Sequence, residues 1–185
     1  MNLHGEPLWR GIINKYYDDN PPLKSLLLLH SSLVARKALA IVDAHPELGA
    51  DRAFVEEAAM LHDIGIFLTD AAPIHCFGKY HYICHGYLGA DLLRCEGLLA
   101  HALVAERHTG TGLTLKQILE RDLPVPHRDM IPISIEEKII CFADKFFSKT
   151  RPDEEKTVEQ AERSLVKFGE EGVQIFREWC LRFLP

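Results

Sequence analysis

The hydrophobic pattern of this chain is helical almost throughout, with apolar residues recurring at the three- and four-residue steps that line one face of an α-helix. A first helix is predicted from Pro7 to Asp19, closed by Asn20-Pro21-Pro22 because proline disfavours helical geometry in the residue before it. A longer one runs from Leu23 to Ala44, with Leu26, Leu29, Leu33, Leu39 and Ala40 as its apolar stripe. Asp51 is the expected N-cap of a third, with Glu56 and Glu57 early in it and Leu61, Ile64 and Phe67 on its apolar side. From Thr69 to Tyr82 the period dissolves, which predicts a loop. Helices resume over about 86–95, 98–106 and 114–121, separated by Gly97 and by Thr109-Gly110-Thr111-Gly112. After a second loop, Leu123 to Pro132, Ser134-Ile135-Glu136-Glu137 has the form of a capping box opening a helix through Asp144. Two polar-faced segments follow, Glu154 to Phe168 and Glu170 to Phe183, hinged at Gly169 and Gly172. They are expected to pack on the rest through Val158, Leu165, Phe168, Ile175, Phe176 and Trp179.

Three of these apolar runs are interrupted where the period calls for core. His30 follows Leu26-Leu27-Leu28-Leu29, His62-Asp63 lies within Ala58 to Gly65, and Asp144 lies within Ile139 to Phe147. Burying a merely polar group costs roughly 2 kcal/mol or more without a partner, and a carboxylate costs several unless something cationic compensates. A single His-Asp pair is equally compatible with a hydrogen-bonded pair inside a core. Recurrence on three helices points instead to one shared polar centre, with a divalent metal as the compensating cation. Adjacent His62 and Asp63 would project about 100° apart on a helix, so they would grip a metal only at the rim of the buried face. Gly65 removes a side chain there and permits close approach of another backbone.

The order His30, His62-Asp63, Asp144 resembles the signature of the HD superfamily of metal-dependent phosphohydrolases, and His62-Asp63-Ile64-Gly65 matches its HDIG variant. The resemblance covers the chain from about Leu26 to about Thr150. His85 to Leu93 and Val104 to Gly110 resemble the middle of a subgroup with two added histidines, which includes the bacterial HD-type diadenosine tetraphosphate hydrolases. Glu106-Arg107-His108 and Glu136-Glu137-Lys138-Ile139 are also similar to elements of small, mostly archaeal HDIG proteins of unassigned function.

The resemblance implies an all-α HD-domain helical bundle. It also implies that His30, His62, Asp63 and Asp144 ligate one metal, and that His85 and His108 hold a second, bridged by Asp63. Imidazole and carboxylate ligands without thiolates suit iron, manganese, nickel, cobalt or zinc; iron leads, because the subgroup's extra histidines complete a dinuclear iron site. The implied activity is hydrolysis of a phosphomonoester or phosphoanhydride, of a nucleotide, through a metal-bound hydroxide. Asp63 would be central to catalysis, while Lys145 beside Asp144 and Arg107 beside His108 would position the phosphate. Arg36 is a further candidate base. Many HDIG proteins carry Lys or Arg after the glycine, where this chain has Ile66; His75, Lys79 and His81 in the first loop are candidate replacements. Two rival functions share the ligand set: a di-iron oxygenase of the HD type, and a catalytically silent sensor that binds metal and nucleotide.

Composition narrows the partners. The chain has 185 residues, enough for one domain, divided into an N-terminal helix (1–22), a metal-binding helical region (23–150) and C-terminal helices packed on it (151–185). A net charge of −6 offers no cationic field for an extended nucleic acid or an anionic membrane, but allows a small anionic substrate in a pocket governed by local charges. No run approaches the roughly 18 to 20 consecutive apolar residues of a membrane span, and no signal peptide is apparent, so a soluble cytoplasmic protein is expected. Five cysteines without a C-x-x-C pair suggest neither disulfides nor a zinc knuckle, and read as reduced core residues. His4, His45, His101 and His127 carry no partner signal.

Overall fold

The computed structural model describes residues 6–152 and 154–184; His4 lies outside them. Among the described residues the helices are α1 (Leu8–Tyr17), α2 (Pro21–Ala44), α3 (Arg52–Leu61), α4 (His85–Cys95), α5 (Leu99–Arg107), α6 (Leu115–Glu120), α7 (Ile135–Asp144), α8 (Val158–Leu165) and α9 (Glu170–Phe183). The fold is all-α, with one two-stranded antiparallel ribbon, β1 (Asp70–Ala71) and β2 (Cys76–Phe77), inside the segment expected to be a loop. Gly78 holds that ribbon in place: a Cβ there would lie 2.1 Å from the Leu68 carbonyl, so only glycine lets the two backbones meet.

Helix α2 is the central element, packed on α3 and α7. It begins two residues earlier than the prolines suggested, because Pro21 and Pro22 occupy the first turn, where a missing N–H costs nothing, and Asn20 caps it by accepting from the Leu23 amide. Its buried face is also not the expected one. Leu23, Leu27, His30, Val34, Ala38 and Ile41 point inward, whereas Leu29 is 41% exposed. In a run of four leucines the period is ambiguous, and it is the inward register of His30 that selects the face. With a mean hydropathy of 1.5 over its most apolar 18 residues, α2 has the length and composition of a membrane-crossing helix despite its interruptions, but the face carrying His30 is packed inside the fold.

The C-terminal helices join the same core as α2, α3 and α7. Phe142 of α7 lies 5.3 Å from Phe176 and 5.4 Å from Phe183, ring centre to ring centre, with Leu165 and Trp179 also buried and Val158, Phe168 and Ile175 partly so. Truncating such a buried aromatic costs about 3–5 kcal/mol. Gly169 forms the break between α8 and α9 with φ +106°, but Gly172 is not a hinge; it lies within α9, where a Cβ would meet the Thr111 hydroxyl at 3.1 Å. All five cysteines are free thiols, with Cys76, Cys84 and Cys141 buried and Cys95 exposed.

The crossing that builds the site is between the turn after α3 and α4. A Cβ on Gly65 would fall 2.3 Å from the His85 carbonyl and 2.4 Å from the Gly89 amide, so two glycines let backbone touch backbone. This close approach is what brings His85 beside the His62-Asp63 dyad.

Candidate metal centre

Five of the six expected ligands sit at helix ends. Helix α3 stops at Leu61, earlier than its apolar pattern implied, so His62 is its C-cap and Asp63 lies in the following turn. This resolves the 100° problem, because off the helix the two side chains converge. His108 caps the C-terminus of α5, Asp144 is the last residue of α7, and His85 is the first of α4. Only His30 lies mid-helix. Three helix C-termini thus turn their partial negative charge toward one point, which favours a cation there.

The Asp63 carboxylate, fully buried, divides its oxygens between two groups. Its Oδ2 is 3.1 Å from Nε2 of both His30 and His62, with Asp144 Oδ1 3.0 Å from His30 and 3.5 Å from His62. Its Oδ1 is 3.4 Å from Nε2 of both His85 and His108. These are two clusters of metal-ligating atoms sharing Asp63: His30, His62, Asp63 and Asp144, then Asp63, His85 and His108.

The histidine tautomers show that this donor set fits a metal. His62, His85 and His108 each lie, through Nδ1, 2.7–2.8 Å from the carbonyl three residues earlier, of Ala59, Tyr82 and Ala105. A carbonyl only accepts, so Nδ1 carries a proton in each and Nε2 faces inward, the orientation of metal-ligating imidazoles; at His62 a metal would replace the second proton that Asp63 and Asp144 hold on Nε2. His85 and His108 then point Nε2 at Nε2 across 3.0 Å, which is repulsive without a cation between them. Neither oxygen of Asp63 nor His62 Nε2 has a hydrogen bond of good geometry, although all are buried.

Protonation follows the surroundings. Burial opposes charge on His62, but Asp63 and Asp144 overcome it and push its pKa up to about 9. Burial carries His85 down to about 3 despite Asp63, and it lowers His108 as well. Burial would raise the Asp63 carboxyl, but Lys149 and His62 outweigh it, and Lys145 and His30 do the same at Asp144, so both acids are held well below the usual carboxylate range.

Lys145 lies at the centre, buried, 2.8 Å from Asp144 Oδ2 and donating to the His108 carbonyl at 2.9 Å. Lys149, which the sequence did not single out, places Nζ 2.5 Å from Asp63 Oδ2. Its only sequence signal is a second lysine one turn beyond Lys145, in a segment where no helix continues. Arg107 is not brought to the centre; it is paired with the buried Glu137 at 2.9 Å. That pairing also leaves the expected capping box half-formed. Ser134 caps the Glu137 amide, but the Glu137 carboxylate turns to Arg107 and the Ile133 amide. Arg36 lines a separate groove between α1, α2 and α3. Ile66 is fully buried in an apolar cluster with Ile13, Leu27, Leu61 and Ile64 and does not line the cavity.

A cavity of about 620 Å³ opens onto His85, His108 and Asp144. Lys145, Lys149, Lys156 and Lys167 line it, with Ser148, Thr150, Thr109 and Ser164 between them, and Ile74, Tyr82, Ile83 and Phe168 among its apolar walls. The first loop contributes Ala71, Pro73 and Ile74, whereas His75, Lys79 and His81 are exposed and outside the lining.

Fold and site together define a helical domain that gathers imidazoles and carboxylates around a shared aspartate. The HD domain family model matches residues 27–149, and the chain belongs to the HD domain family. It is 36% identical over 132 residues to an uncharacterised protein of Methanocaldococcus jannaschii, covering 70% of this chain and 69% of that one. It is 32% identical over 155 residues to a tRNA (cytidine(56)-2'-O)-methyltransferase of Picrophilus torridus and 31% over 123 residues to that of Thermoplasma volcanium. Those matches cover 78% and 66% of this chain but 41% and 32% of the methyltransferases, so the chain spans less than half the length of either. No solved structure matched.

Proposed function

We propose that this protein is a metal-dependent phosphohydrolase acting on a small phosphorylated molecule, a phosphomonoester or phosphoanhydride of nucleotide type. The observation that carries the reading is the cavity: in a chain of net charge −6, four lysines line a space that opens on the His/Asp clusters. That concentration of ammonium groups and hydroxyls over candidate metal ligands suits a phosphoryl group, since positioning and charge neutralisation are most of what phosphoryl transfer requires. His30, His62, Asp63 and Asp144 would hold one metal, and His85, His108 and Asp63 a second; the imidazole-carboxylate donor set admits iron, and the resemblance to dinuclear iron relatives favours it. Bound there, the metals supply Lewis acidity and make water a competent nucleophile near neutral pH.

The chain's own residues do the rest. The backbone carbonyls of Ala59, Tyr82 and Ala105 fix three imidazoles in the ligating tautomer. Lys145 ties Asp144 to the His108 carbonyl, holding the last residue of α7 against the end of α5. Lys156 and Lys167 offer charge farther along the wall, and Ile74, Ile83 and Phe168 offer an apolar surface for the organic part of the substrate. The methyltransferase names belong to chains of which more than half has no counterpart here, so methyl transfer is not carried over.

The test is phosphate release from a panel of nucleoside mono-, di- and triphosphates, dinucleoside polyphosphates and sugar phosphates, using protein reconstituted with iron(II) or manganese(II) and assayed for metal content. Metal-dependent release from at least one class is expected. Metal-loaded protein inert toward all of them refutes the reading.

A further inference from the structure

Lys149 and a metal ion require the same oxygen. The Lys149 ammonium, on a side chain 12% exposed, lies 2.5 Å from Asp63 Oδ2, the atom that faces Nε2 of His30 and His62 at 3.1 Å. Lys145 is placed differently. It pairs with Asp144 Oδ2, while the oxygen that Asp144 turns to His30 and His62 is Oδ1. The charge of Lys145 is therefore compatible with a metal on the ligating oxygen of its partner, and that of Lys149 is not.

We propose that Lys149 is a built-in counter-cation. It neutralises Asp63 in the metal-free protein, is displaced when a metal occupies the His30, His62, Asp63 and Asp144 cluster, and then offers its ammonium to the phosphoryl group of the substrate. The inference rests on the metal reading of the site. Its position allows the exchange: Lys149 follows α7 in a turn closed by the Arg151 amide on the Ser148 carbonyl, and with Ser148 and Thr150 it lines the cavity. A lysine's flexible four-carbon stem lets its charge move between neighbouring acceptors without displacing the backbone. Without Lys149, a metal no longer has to displace an ammonium from Asp63 Oδ2, so metal should bind more tightly to the variant.

The experiment compares wild type, Lys149→Met, Lys149→Arg and Lys145→Met by calorimetric titration with manganese(II), then by titration of each manganese-loaded protein with inorganic phosphate. Lys149→Met should bind manganese about tenfold or more tightly, melt at a lower temperature when metal-free, and bind phosphate about tenfold or more weakly, the scale of a lost charge-assisted contact. Lys149→Arg should stay near wild type, and Lys145→Met should not tighten metal binding. Unchanged or weakened metal affinity in Lys149→Met, or equal tightening in Lys149→Met and Lys145→Met, overturns the displacement; unchanged phosphate affinity overturns the substrate role. Should Lys149→Met not fold, amine labelling of wild-type Lys149, read by mass spectrometry, decides: faster labelling on adding manganese is expected, and no change overturns the proposal. Wild-type protein that binds no divalent metal would instead defeat the metal reading itself.

Discussion

Replacing Gly65 by alanine tests whether the two ligand clusters are separable, without touching a ligand. The added Cβ would lie 2.3 Å from the His85 carbonyl oxygen, 2.4 Å from the Gly89 amide nitrogen and 2.8 Å from the Gly89 Cα. All three are backbone atoms, so no rotamer change relieves the contact. The turn and α4 must separate by about 1 Å, the gap between 2.3 Å and the 3.4 Å at which ordinary contact begins. Metal ligands tolerate about 0.2 Å. His85 rides on the first residue of α4 and moves with it, whereas His30 and Asp144 belong to α2 and α7. On the proposed two-metal reading, the expected result is loss of the metal at His85 and His108 with retention of the one at His30, His62, Asp63 and Asp144, a fall from two metals per chain to one. Overpacking of this kind costs about 1–3 kcal/mol, a fall in Tm of roughly 2–12 °C at this chain length. Elemental analysis of the reconstituted protein reads the first effect, and thermal unfolding of the metal-free protein reads the second. Two metals per chain and a wild-type Tm in Gly65→Ala would show that the Gly65–Gly89 contact does not set the site.

Asp63→Ala removes the one residue shared by both clusters and should abolish bound metal and activity together; two metals and normal turnover in this variant would refute the bridging assignment. His85→Ala and His108→Ala should each lose one metal and keep the other, and equal loss of both, measured by elemental analysis, would refute two separable positions. After chelation, the protein should melt at its highest temperature near pH 6.5. His62, raised to about 9, stabilises fully below 6.5 and loses that contribution as pH climbs through 9. His85, lowered to about 3, makes the unfolded chain the better proton acceptor as pH falls below 6.5. A Tm still rising from pH 6.5 to 9 would contradict the His62 environment.

The sequence by itself determined the candidate metal ligands of this protein and the order of its helices. His30, His62-Asp63 and Asp144 were legible because each breaks an apolar period, and a group that costs several kcal/mol to bury must have a partner. Gly65 was legible as a place of close approach for the same local reason, a missing side chain beside an anomalous dyad. Everything that depends on which surfaces meet was decided by tertiary structure. The buried face of α2 could not be read from four consecutive leucines, and α3 ends at Leu61, before its apolar pattern does, in the turn where Gly65 meets α4. Arg107 and Lys145 look alike in sequence, each beside a candidate ligand, yet one is captured by Glu137 and the other stays on Asp144. Lys149 has only its spacing of four residues from Lys145 as a sequence signal. Its meaning arises only because the turn after α7 folds back over Asp63, two segments far apart in the chain, and adjacency of that kind is a property of packing rather than of spacing.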